Sequence, residues 1–582
     1  MENQRNLILA VVLCGLLIIG YDAAMNYWYP QPDKTVAAAS GPAAEQPVGN
    51  GERAPAQHSR TGGLVDPAEQ AQERTDLKTA LASGNRVRID TPKVSGSINL
   101  VGAKIDDLVL EDYRETVEKD SGPVRLFSPA GTPAQHFAEF GFIANGARLP
   151  EVTWQADGAV LGTGTPVTLS HTDAAGVTYR IKLSIDDSYM ITAQQTASNA
   201  TAGAAVVQPF ALVNRTSRTA SIDQWIAHSG PMGVFGDAAN YDVDYDDLAE
   251  TGRVSPEGKV AWTGFTDIYW LSALVPESGR AVAADYRSLG SELFRADLIY
   301  DPVTVPAGKA VTLSTRLYAG AKESVILDRY EAAGIGKFGL AIDWGWFRWF
   351  EKPMLWLLRE LFQLVGNFGL AIMCLTVIIR GVMFPIAQKQ FASMAAMKAV
   401  QPKMKAIQER FKDDKQRQQQ EIMKLYKDEK VNPLAGCLPL LIQIPIFYAL
   451  YKVLVLAIEM RHQPFVLWIR DLSAPDPAHV LNLFGLLPFE VPALIAIGPL
   501  AILLGITMWL TFKLNPSAMD PVQQQIFNIM PWILMFVMAP FAAGLLLYWN
   551  TSNVLTLAQQ KYLYSKHPQL RAQAEAEKAA KA

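Results

Sequence analysis

Five long apolar segments follow one another in the last third of the chain and limit its possible folds more than any other feature. They cover residues 364–386, 433–457, 492–513, 522–539 and 543–563. Each is about as long as the roughly 20 residues that a helix needs to cross the hydrocarbon core of a bilayer. A sixth apolar run, LILAVVLCGLLIIG at 7–20, is followed by the aromatic residues Tyr27, Trp28 and Tyr29, which suit a membrane interface. The pattern predicts a polytopic α-helical membrane protein with six spans.

The first apolar run favours an uncleaved signal anchor over a cleaved signal peptide. Only Arg5 precedes it as a basic residue, Glu2 offsets that charge, and no clean A-x-A cleavage site follows. We assign residues 1–29 to a signal-anchor span. Residues 30–65 are rich in Ala, Pro, Gly and Gln, a composition that is typical of a flexible linker.

Residues 66–330 have a different character and predict one large all-β domain. Residues 31–330 contain 37 acidic and 26 basic residues, whereas the rest of the chain contains 19 acidic and 26 basic residues. In residues 177–185, VTYRIKLSI, apolar side chains alternate with polar ones, and Val311, Leu313 and Leu317 repeat the pattern. A period of two, interrupted by Gly, Asp and Asn, indicates antiparallel strands with one wet face. We predict a domain of the β-sandwich type.

Residues 331–362 are predicted to form an interfacial amphipathic helix. The stretch AIDWGWFRWFEKPMLWLLRELF at 341–362 mixes tryptophan and phenylalanine residues with six charges directly before an apolar segment. The alternative is that these residues form the first turns of a long tilted span, which Pro353 and the charges disfavour.

The distribution of Lys and Arg sets the predicted orientation of the five-span core, residues 363–563. The connection 387–432 holds 11 Lys/Arg and 6 acidic residues, and the connection 458–491 holds two Arg and four acidic residues. The basic connection, which reads as a helical hairpin, and the basic tail 564–582 are therefore predicted to be cytoplasmic. Both termini then lie in the cytoplasm, and the β domain lies outside, in a periplasm.

Signatures of common enzymes and metal sites are absent from the sequence. There is no G-x-x-x-x-G-K-[ST], no H-E-x-x-H and no G-x-S-x-G, and the 3 Cys form no C-x-x-C pair. A formal net charge of -4 argues against a nucleic-acid binder. We predict no catalytic residue, no metal site, no cofactor and no nucleic-acid substrate.

Arg380 is the most costly residue in the apolar segments, because a charge inside a span requires a reason. Two interpretations of Arg380 stay open. It is either a functional group in a wet cavity or an anchor whose side chain extends to the cytoplasmic interface. Polar residues within several of the apolar segments favour a shared wet cavity. These residues are Thr376, Gln443, Tyr548, Asn550, Ser552 and Asn553. For Gln443 and the two Asn residues, hydrogen bonds that join helices are the alternative.

Four segments closely resemble the Oxa/Alb family of membrane insertases in its Gram-negative form. They are VNPLAGCLPLLIQIPIFYALY at 431–451, VIIRGVMFP at 377–385, PFVLWIRDLSAPDP at 464–477 and GLLLYWNTSN at 544–553. The resemblance covers essentially the whole chain. It implies a five-helix core around a hydrophilic groove that is open to cytoplasm and lipid, a cytoplasmic hairpin, and a large periplasmic β-supersandwich.

The resemblance also implies site residues and partners. The Arg of the family's groove, which receives hydrophilic parts of a client, matches Arg380, and its groove Thr and Gln match Thr376 and Gln443. Some members carry two adjacent Tyr residues where this chain has Tyr548 and Trp549. The implied partners are nascent inner-membrane proteins, the Sec translocon, the lipid bilayer, and the ribosome through the basic connection and tail.

We therefore predict a non-enzymatic insertase and chaperone of inner-membrane proteins, with Arg380, Thr376, Gln443, Tyr548, Asn550 and Asn553 in its client-binding groove. A small-solute transporter is the first alternative, and inverted repeats, which are not visible, would favour it. A second alternative makes the β domain a carbohydrate-binding or sugar-modifying enzyme, which would require a cleft with His and carboxylate residues.

Overall fold

The structure, a computed structural model, describes residues 76–82, 84–221, 226–412, 414–429, 438–484, 487, 489, 491–492, 495–514 and 521–566. The predicted signal anchor and linker, with Cys14, lie outside these residues, as do Cys437 and most of the basic tail.

The β-rich domain predicted from alternation is present between residues 86 and 321, where the described residues form two sheets. The strands are β1 Arg86–Asp90, β2 Val94–Asn99, β3 Lys104–Arg114, β4 Pro123–Phe127, β5 His136–Ala144, β6 Ala147–Arg148, β7 Gln155–Ala156, β8 Val160–Gly162, β9 Val167–Thr172, β10 Val177–Ile185, β11 Met190–Asn199, β12 Ala205–Thr216, β13 Gly230–Phe235, β14 Ala238–Asn240, β15 Arg253–Val254, β16 Val260–Thr266, β17 Trp270–Val275, β18 Val282–Gly290, β19 Leu293–Tyr300, β20 Val303–Val305 and β21 Ala310–Ala321.

One sheet has 12 strands, and its main path runs β15-β18-β19-β12-β5-β3-β2-β1-β8. The other has nine strands in the order β14-β13-β16-β17-β21-β11-β10-β9-β7. The pairs are antiparallel except for β1 with β8. Gln195 of β11 donates hydrogen bonds to the carbonyl oxygens of Gly141 on β5 and Phe210 on β12, so the two sheets meet face to face.

The predicted alternation is confirmed on β10. Its odd-numbered residues, from Val177 to Ile185, are buried, and most of its even-numbered residues are exposed. Because successive side chains of a strand point to opposite faces, this strand presents one face to the core and one to water.

The described residues also contain eleven α-helices, most of them after the β domain. They are α1 Leu77–Ala82, α2 Tyr245–Thr251, α3 Ser324–Ala332, α4 Arg348–Val365, α5 Phe368–Val382, α6 Phe384–Arg410, α7 Lys415–Asp428, α8 Leu438–Leu456, α9 Pro499–Leu514, α10 Pro521–Met538 and α11 Ala543–Lys566. Helices α5, α8, α9, α10 and α11 correspond to the five apolar segments, and α9, α10 and α11 extend beyond them by one to three residues. Within the described ranges, no helix is both long enough and apolar enough to cross a membrane.

Helices α4 and α5 are joined by a sharp corner that the local sequence specifies. Gly366 ends α4 in the left-handed conformation, with φ at 69°, where a residue without Cβ carries no steric penalty. Asn367 then begins α5, and its side-chain oxygen accepts a hydrogen bond from Leu370 N at 3.1 Å. The amphipathic helix and the first helix of the core are therefore held at a fixed junction.

Helices α6 and α7 form a hairpin in the charged connection. Asp414 caps α7 by accepting from Arg417 N at 3.0 Å. Lys403 and Glu429 form an ion pair at 2.5 Å between the two arms, and Tyr426 Oη donates to Met404 Sδ. These two contacts join the arms of the hairpin.

Helix α11 is the centre of the helical part of the molecule. It packs against α5, α8 and α9, and residues 545–548 are buried. The polar residues that the sequence singled out on α5, α8 and α11 are thus carried on neighbouring helices.

Candidate functional site

Arg380 lies half-buried near the end of α5, and its guanidinium is held by a hydroxyl group. Both Nε and Nη2 donate to Ser552 Oγ on α11, and the Nε–Oγ distance is 2.9 Å. Among the described residues no carboxylate lies within ion-pair distance of this guanidinium. A charge with a neutral partner and some exposure keeps the capacity to attract an anionic group.

Gln443 of α8 joins the same cluster. Its Nε2 donates to Tyr548 Oη of α11 at 2.6 Å. Tyr548 is 1% exposed and lies one turn before Ser552 on α11. We call Arg380, Gln443, Tyr548 and Ser552 the groove cluster. Its two outermost members, Arg380 and Gln443, are half-buried, and the other two form its buried floor.

Thr376 lies one turn before Arg380 on α5 and is 1% exposed. Its hydroxyl donates to Ile372 O of its own helix at 2.7 Å. A hydroxyl bonded to the preceding turn is satisfied inside an apolar helix without another partner. The hydroxyl proton of Thr376 is therefore directed to its own helix and not into the groove cluster.

Asn550 and Asn553 belong to a second cluster, on the side of α11 that faces α9. Asn550 Nδ2 donates to Leu500 O at 3.0 Å, and its Oδ1 accepts from Thr507 Oγ1 at 3.2 Å. Asn553 Nδ2 donates to Thr507 Oγ1 at 3.1 Å. The structure thus divides the predicted site residues between a groove cluster and hydrogen bonds that join two helices.

Ser552 was predicted to line the wet cavity but not to belong to the client-binding residues, and Thr507 was not predicted to belong to any site. Ser552 follows Tyr548 by four residues, so both lie on one face of α11, and that spacing is a signal in the sequence. Thr507 is a single hydroxyl in the apolar run AILLGITMWL, and nothing nearby in sequence identifies its partners. Trp549, beside the floor residue Tyr548, packs edge-on against Phe447 of α8, with ring centroids 4.9 Å apart.

A second group of buried charges lies at the opposite end of α8. Glu351 of α4 is 0% exposed, and neither carboxylate oxygen has a hydrogen-bond partner. Burial raises the pKa of Glu351 to about 7, an effect that nearby Lys452 opposes and nearby Asp343 reinforces. Sequence analysis treated Glu351 only as one of the charges of an interfacial helix.

The groove cluster can bind a ligand through hydrogen bonds and charge. A guanidinium and an amide offer several N–H donors, and the buried Tyr and Ser hydroxyls hold them in place. In the described part of the chain, no group of three or more His, Cys, Asp or Glu residues could hold a metal ion. The arrangement suits polar or acidic groups of a peptide that comes from water.

Comparisons with known proteins identify the family to which this chain belongs. A family model described as "YidC periplasmic domain" matches residues 86–357, and one described as "60Kd inner membrane protein" matches residues 360–570. The relative named "Membrane protein insertase YidC" from Nitrobacter hamburgensis is 42% identical over 97% of this chain and 96% of its own. The chain belongs to the YidC family of membrane protein insertases.

Other members are similar over the same extent. The Zymomonas mobilis protein with the same name is 42% identical over 97% of this chain and 96% of its own length. A crystal structure titled as an active YidC insertase with its first transmembrane domain resolved aligns at 18% identity and a TM-score of 0.36. That alignment covers 84% of this chain and 94% of the other.

Membership of the YidC family confirms the coarse predictions. The chain is an inner-membrane protein with a periplasmic β domain and an insertase core. The relatives are named as insertases, which agrees with the prediction that the chain is not an enzyme.

Proposed function

We propose that this protein inserts nascent inner-membrane proteins into the bilayer and that the groove cluster receives a hydrophilic part of the client. One observation carries the proposal: the guanidinium of Arg380 is half-buried among apolar helices and is held by Ser552, with no described carboxylate as ion-pair partner. Such a charge attracts acidic or polar client segments.

The energetic role of the cluster is to lower the free energy of a polar segment part-way across the membrane. A charged residue at the bilayer centre costs about 2.5–3.5 kcal/mol on the insertion scale. Polar groups of Arg380, Gln443 and the floor residues replace part of the water that the segment loses. The apolar part of the client then moves sideways into lipid, and the hydrophobic effect drives that step.

The topology proposed for this function has six spans, with both termini and the α6–α7 hairpin in the cytoplasm. The excess of Lys and Arg in 387–432 supports this orientation. The groove is then open to cytoplasm and lipid. Its polar groups lie where a client arriving from the cytoplasm reaches them first.

The proposed partners follow from the same orientation. The basic hairpin and tail favour contact with the ribosome, whose RNA is anionic. Short clients are inserted by this protein alone, and larger ones with the Sec translocon. Asn550, Asn553 and Thr507 support the groove by holding α9 against α11, and they do not contact the client.

Substitutions of Arg380 test the proposal. Insertion of two clients that differ only in an acidic or neutral translocated tail is measured in cells, with the abundance of each variant monitored. Arg380→Lys keeps the charge on a flexible stem and retains insertion of the acidic client. In Arg380→Ala and Arg380→Glu, insertion of that client falls roughly fivefold or more, since an attraction of about 1–4 kcal/mol at 4 Å is lost.

An anchoring role for Arg380 makes a different prediction. A residue that only snorkels to the interface affects the abundance of the protein and leaves the ratio of the two clients unchanged. Equal insertion of acidic and neutral clients by a well-expressed Arg380→Ala variant would remove Arg380 from the mechanism.

A further inference from the structure

The loop between α8 and α9 presents large apolar side chains to its surroundings. Exposure is 86% for Leu467, 52% for Leu481, 52% for Leu483 and 59% for Phe484. We call these four residues the loop wedge. Phe489, on the same loop, is 50% exposed as well. Exposed apolar residues in such density mark a surface that meets something other than water.

The backbone holds these side chains outward at a conformational cost. Leu467, Leu483 and Phe484 have φ values of 58°, 51° and 62°, in the left-handed region that bulky residues rarely adopt. The 483–484 turn is closed by Phe484 N, which donates to His479 O at 2.7 Å. A loop that only connects two helices through water would carry Gly or Asn at these positions.

The base of the loop is fixed, so the wedge has a defined position. Asp476, which is 1% exposed, accepts hydrogen bonds from Trp468 Nε1 at 2.9 Å and from Leu500 N, at the start of α9, at 3.0 Å. Ala543 N, at the start of α11, donates to Ala474 O at 2.7 Å. The loop therefore covers the end of the helical bundle at which α9 and α11 begin.

Contacts with α5 and with the β domain identify that end as the periplasmic one. Asn367, the cap of α5, donates to Phe465 O at 3.2 Å, and Phe465 packs so closely that Gly369 has no room for a side chain. Arg461 Nη1 donates to Arg114 O at 2.8 Å on the β domain. The loop thus lies between the periplasmic domain and the helical core, level with the junction of α4 and α5.

We propose that the loop wedge is inserted in the outer leaflet of the inner membrane and contacts lipid acyl chains. Between residues 472 and 512 the only charged residues are Asp476 and Glu490, and the helical core directly follows the loop. The exposed rings of Trp349, at 66%, and Trp356, at 59%, lie on the neighbouring helix α4, as is typical of an interfacial belt. Leu481, Leu483 and Phe484 lie within this weakly charged stretch, which offers a polar partner protein little complementary charge.

Site-directed spin labelling of the full-length protein in proteoliposomes tests the proposal. On a background in which Cys14, Cys374 and Cys437 are replaced, single labels are placed by Leu483→Cys and Phe484→Cys. The matched control is Val206→Cys, because Val206 is also an exposed apolar residue, at 40%, but lies on the β domain. Collision with oxygen, which concentrates in acyl chains, is compared with collision with a water-soluble nickel chelate.

The expected result is an inversion between the wedge and the control. Labels at 483 and 484 collide more with oxygen than with the chelate, and the label at 206 collides more with the chelate. Chelate access at 483 and 484 equal to that at 206 overturns the proposal. A third outcome is that labels at 483 and 484 are protected from both reagents and lose this protection when the protein is diluted in lipid. This outcome also overturns the proposal, because it shows that a second copy of the protein, and not lipid, covers the surface. Leu481→Cys provides a further wedge label outside the strained turn, should either first variant fold poorly.

Discussion

Ser552 determines where the charge of Arg380 lies, because its hydroxyl accepts two hydrogen bonds from one guanidinium. Hydrogen bonds to a charged group contribute about 1.5–3 kcal/mol. We expect Ser552→Ala to leave the charge in the groove without a fixed direction. Insertion of the acidic client should fall several-fold, less than in Arg380→Ala, and insertion of the neutral client should change little.

The matched control for Ser552 is Thr551, the preceding residue on α11. Its hydroxyl donates to Leu547 O of its own helix at 2.8 Å and does not touch the groove cluster. Thr551→Ala should therefore leave the ratio of acidic to neutral insertion unchanged. Equal effects of the two substitutions on that ratio would show that Ser552 acts only through the stability of α11.

Substitution of Thr507 should have the opposite effect to substitution of Ser552: it should lower stability and leave client selectivity unchanged. Thr507→Val keeps the shape of the side chain but removes the hydroxyl that bonds to both Asn550 and Asn553. Hydrogen bonds between helices in a membrane contribute about 0.6 kcal/mol on average and up to about 1.7 kcal/mol. We expect a lower midpoint of thermal denaturation in detergent. Client selectivity should remain unchanged, and a shift in the acidic-to-neutral ratio would place Thr507 in the groove.

The sequence could predict the cost of Arg380 but not its partner. A charge and an amide in apolar segments are visible in one dimension, so Arg380 and Gln443 were identifiable. The rotation of α11 relative to its neighbours depends on packing over its whole length. It turns Ser552 toward α5 and Asn550 toward α9. The spacing of Ser552 from Tyr548 places these two residues on one face of α11, but it does not indicate which helix that face meets.

Helix α4 combines an interfacial face with a buried carboxylate. Met354, Leu355 and Leu358 form its buried face, and Trp349 and Trp356 are exposed on the other side. The pattern predicted this division. It could not predict that Glu351 lies on the buried face, because the neighbours that make the position tolerable, Lys452 and Asp343, come from distant parts of the chain.

The buried Glu351 predicts a pH-dependent stability. Its pKa is raised to about 7 in the folded protein, above the ordinary value of 4.5 that the carboxyl group has when the chain unfolds. Between these values the unfolded state is ionised while the folded state keeps its proton. The folded state therefore loses stability as the pH rises from about 4.5 to about 7. The loss is roughly 3–4 kcal/mol, because each pKa unit corresponds to about 1.4 kcal/mol.

Glu351→Gln should remove that loss, because its amide is neutral at every pH. The denaturation midpoint of the variant should match that of the native protein at pH 5 and exceed it at pH 8. Glu360→Gln is the control, since Glu360 is exposed on the same helix. If the denaturation midpoints of the native protein and of Glu351→Gln change with pH in the same way, Glu351 is not buried and protonated in the folded protein.

The β domain and the helical core are packed together, which the sequence did not indicate. The guanidinium of Arg461, on the loop between α8 and α9, lies over two rings of the β domain, 5.3 Å from the Trp270 centroid and 5.7 Å from the Tyr269 centroid. These partners are separated by roughly 200 residues in sequence. Alternation and hydropathy report on single elements, so they predicted the two parts and not the contact between them.

The border between the two parts also differs from the predicted one. The sequence placed residues 331–362 in one interfacial helix, but α4 begins at Arg348. Ile335 and Phe338, both before α4, are buried, and the Phe338 ring packs edge-on against Trp262 and Tyr318 of the β domain, at 5.5 and 5.2 Å. Residues up to about 342 thus complete the β domain rather than the membrane surface.

The position of this border determines which deletion of the periplasmic domain should give a stable protein. The groove cluster draws all its members from α5, α8 and α11, so insertion of a short client by this protein alone should survive loss of the β domain. Deletion of residues 70–320 leaves Leu327, Ile335 and Phe338 without their partners. Each newly exposed side chain costs about 1.5–3 kcal/mol of burial, so this variant should be unstable and low in abundance. Deletion of residues 70–342 removes the exposed set and should restore abundance.

The two deletions separate stability from mechanism. Insertion of the short client is measured for each and divided by the amount of variant in the membrane. The 70–342 deletion should insert at close to the native level. If it is abundant and does not insert, the β domain takes part in the insertion step, and the groove cluster alone is not sufficient. If the 70–320 deletion is as abundant as the longer one, the packing of Phe338 against Trp262 does not stabilise the border as the structure indicates.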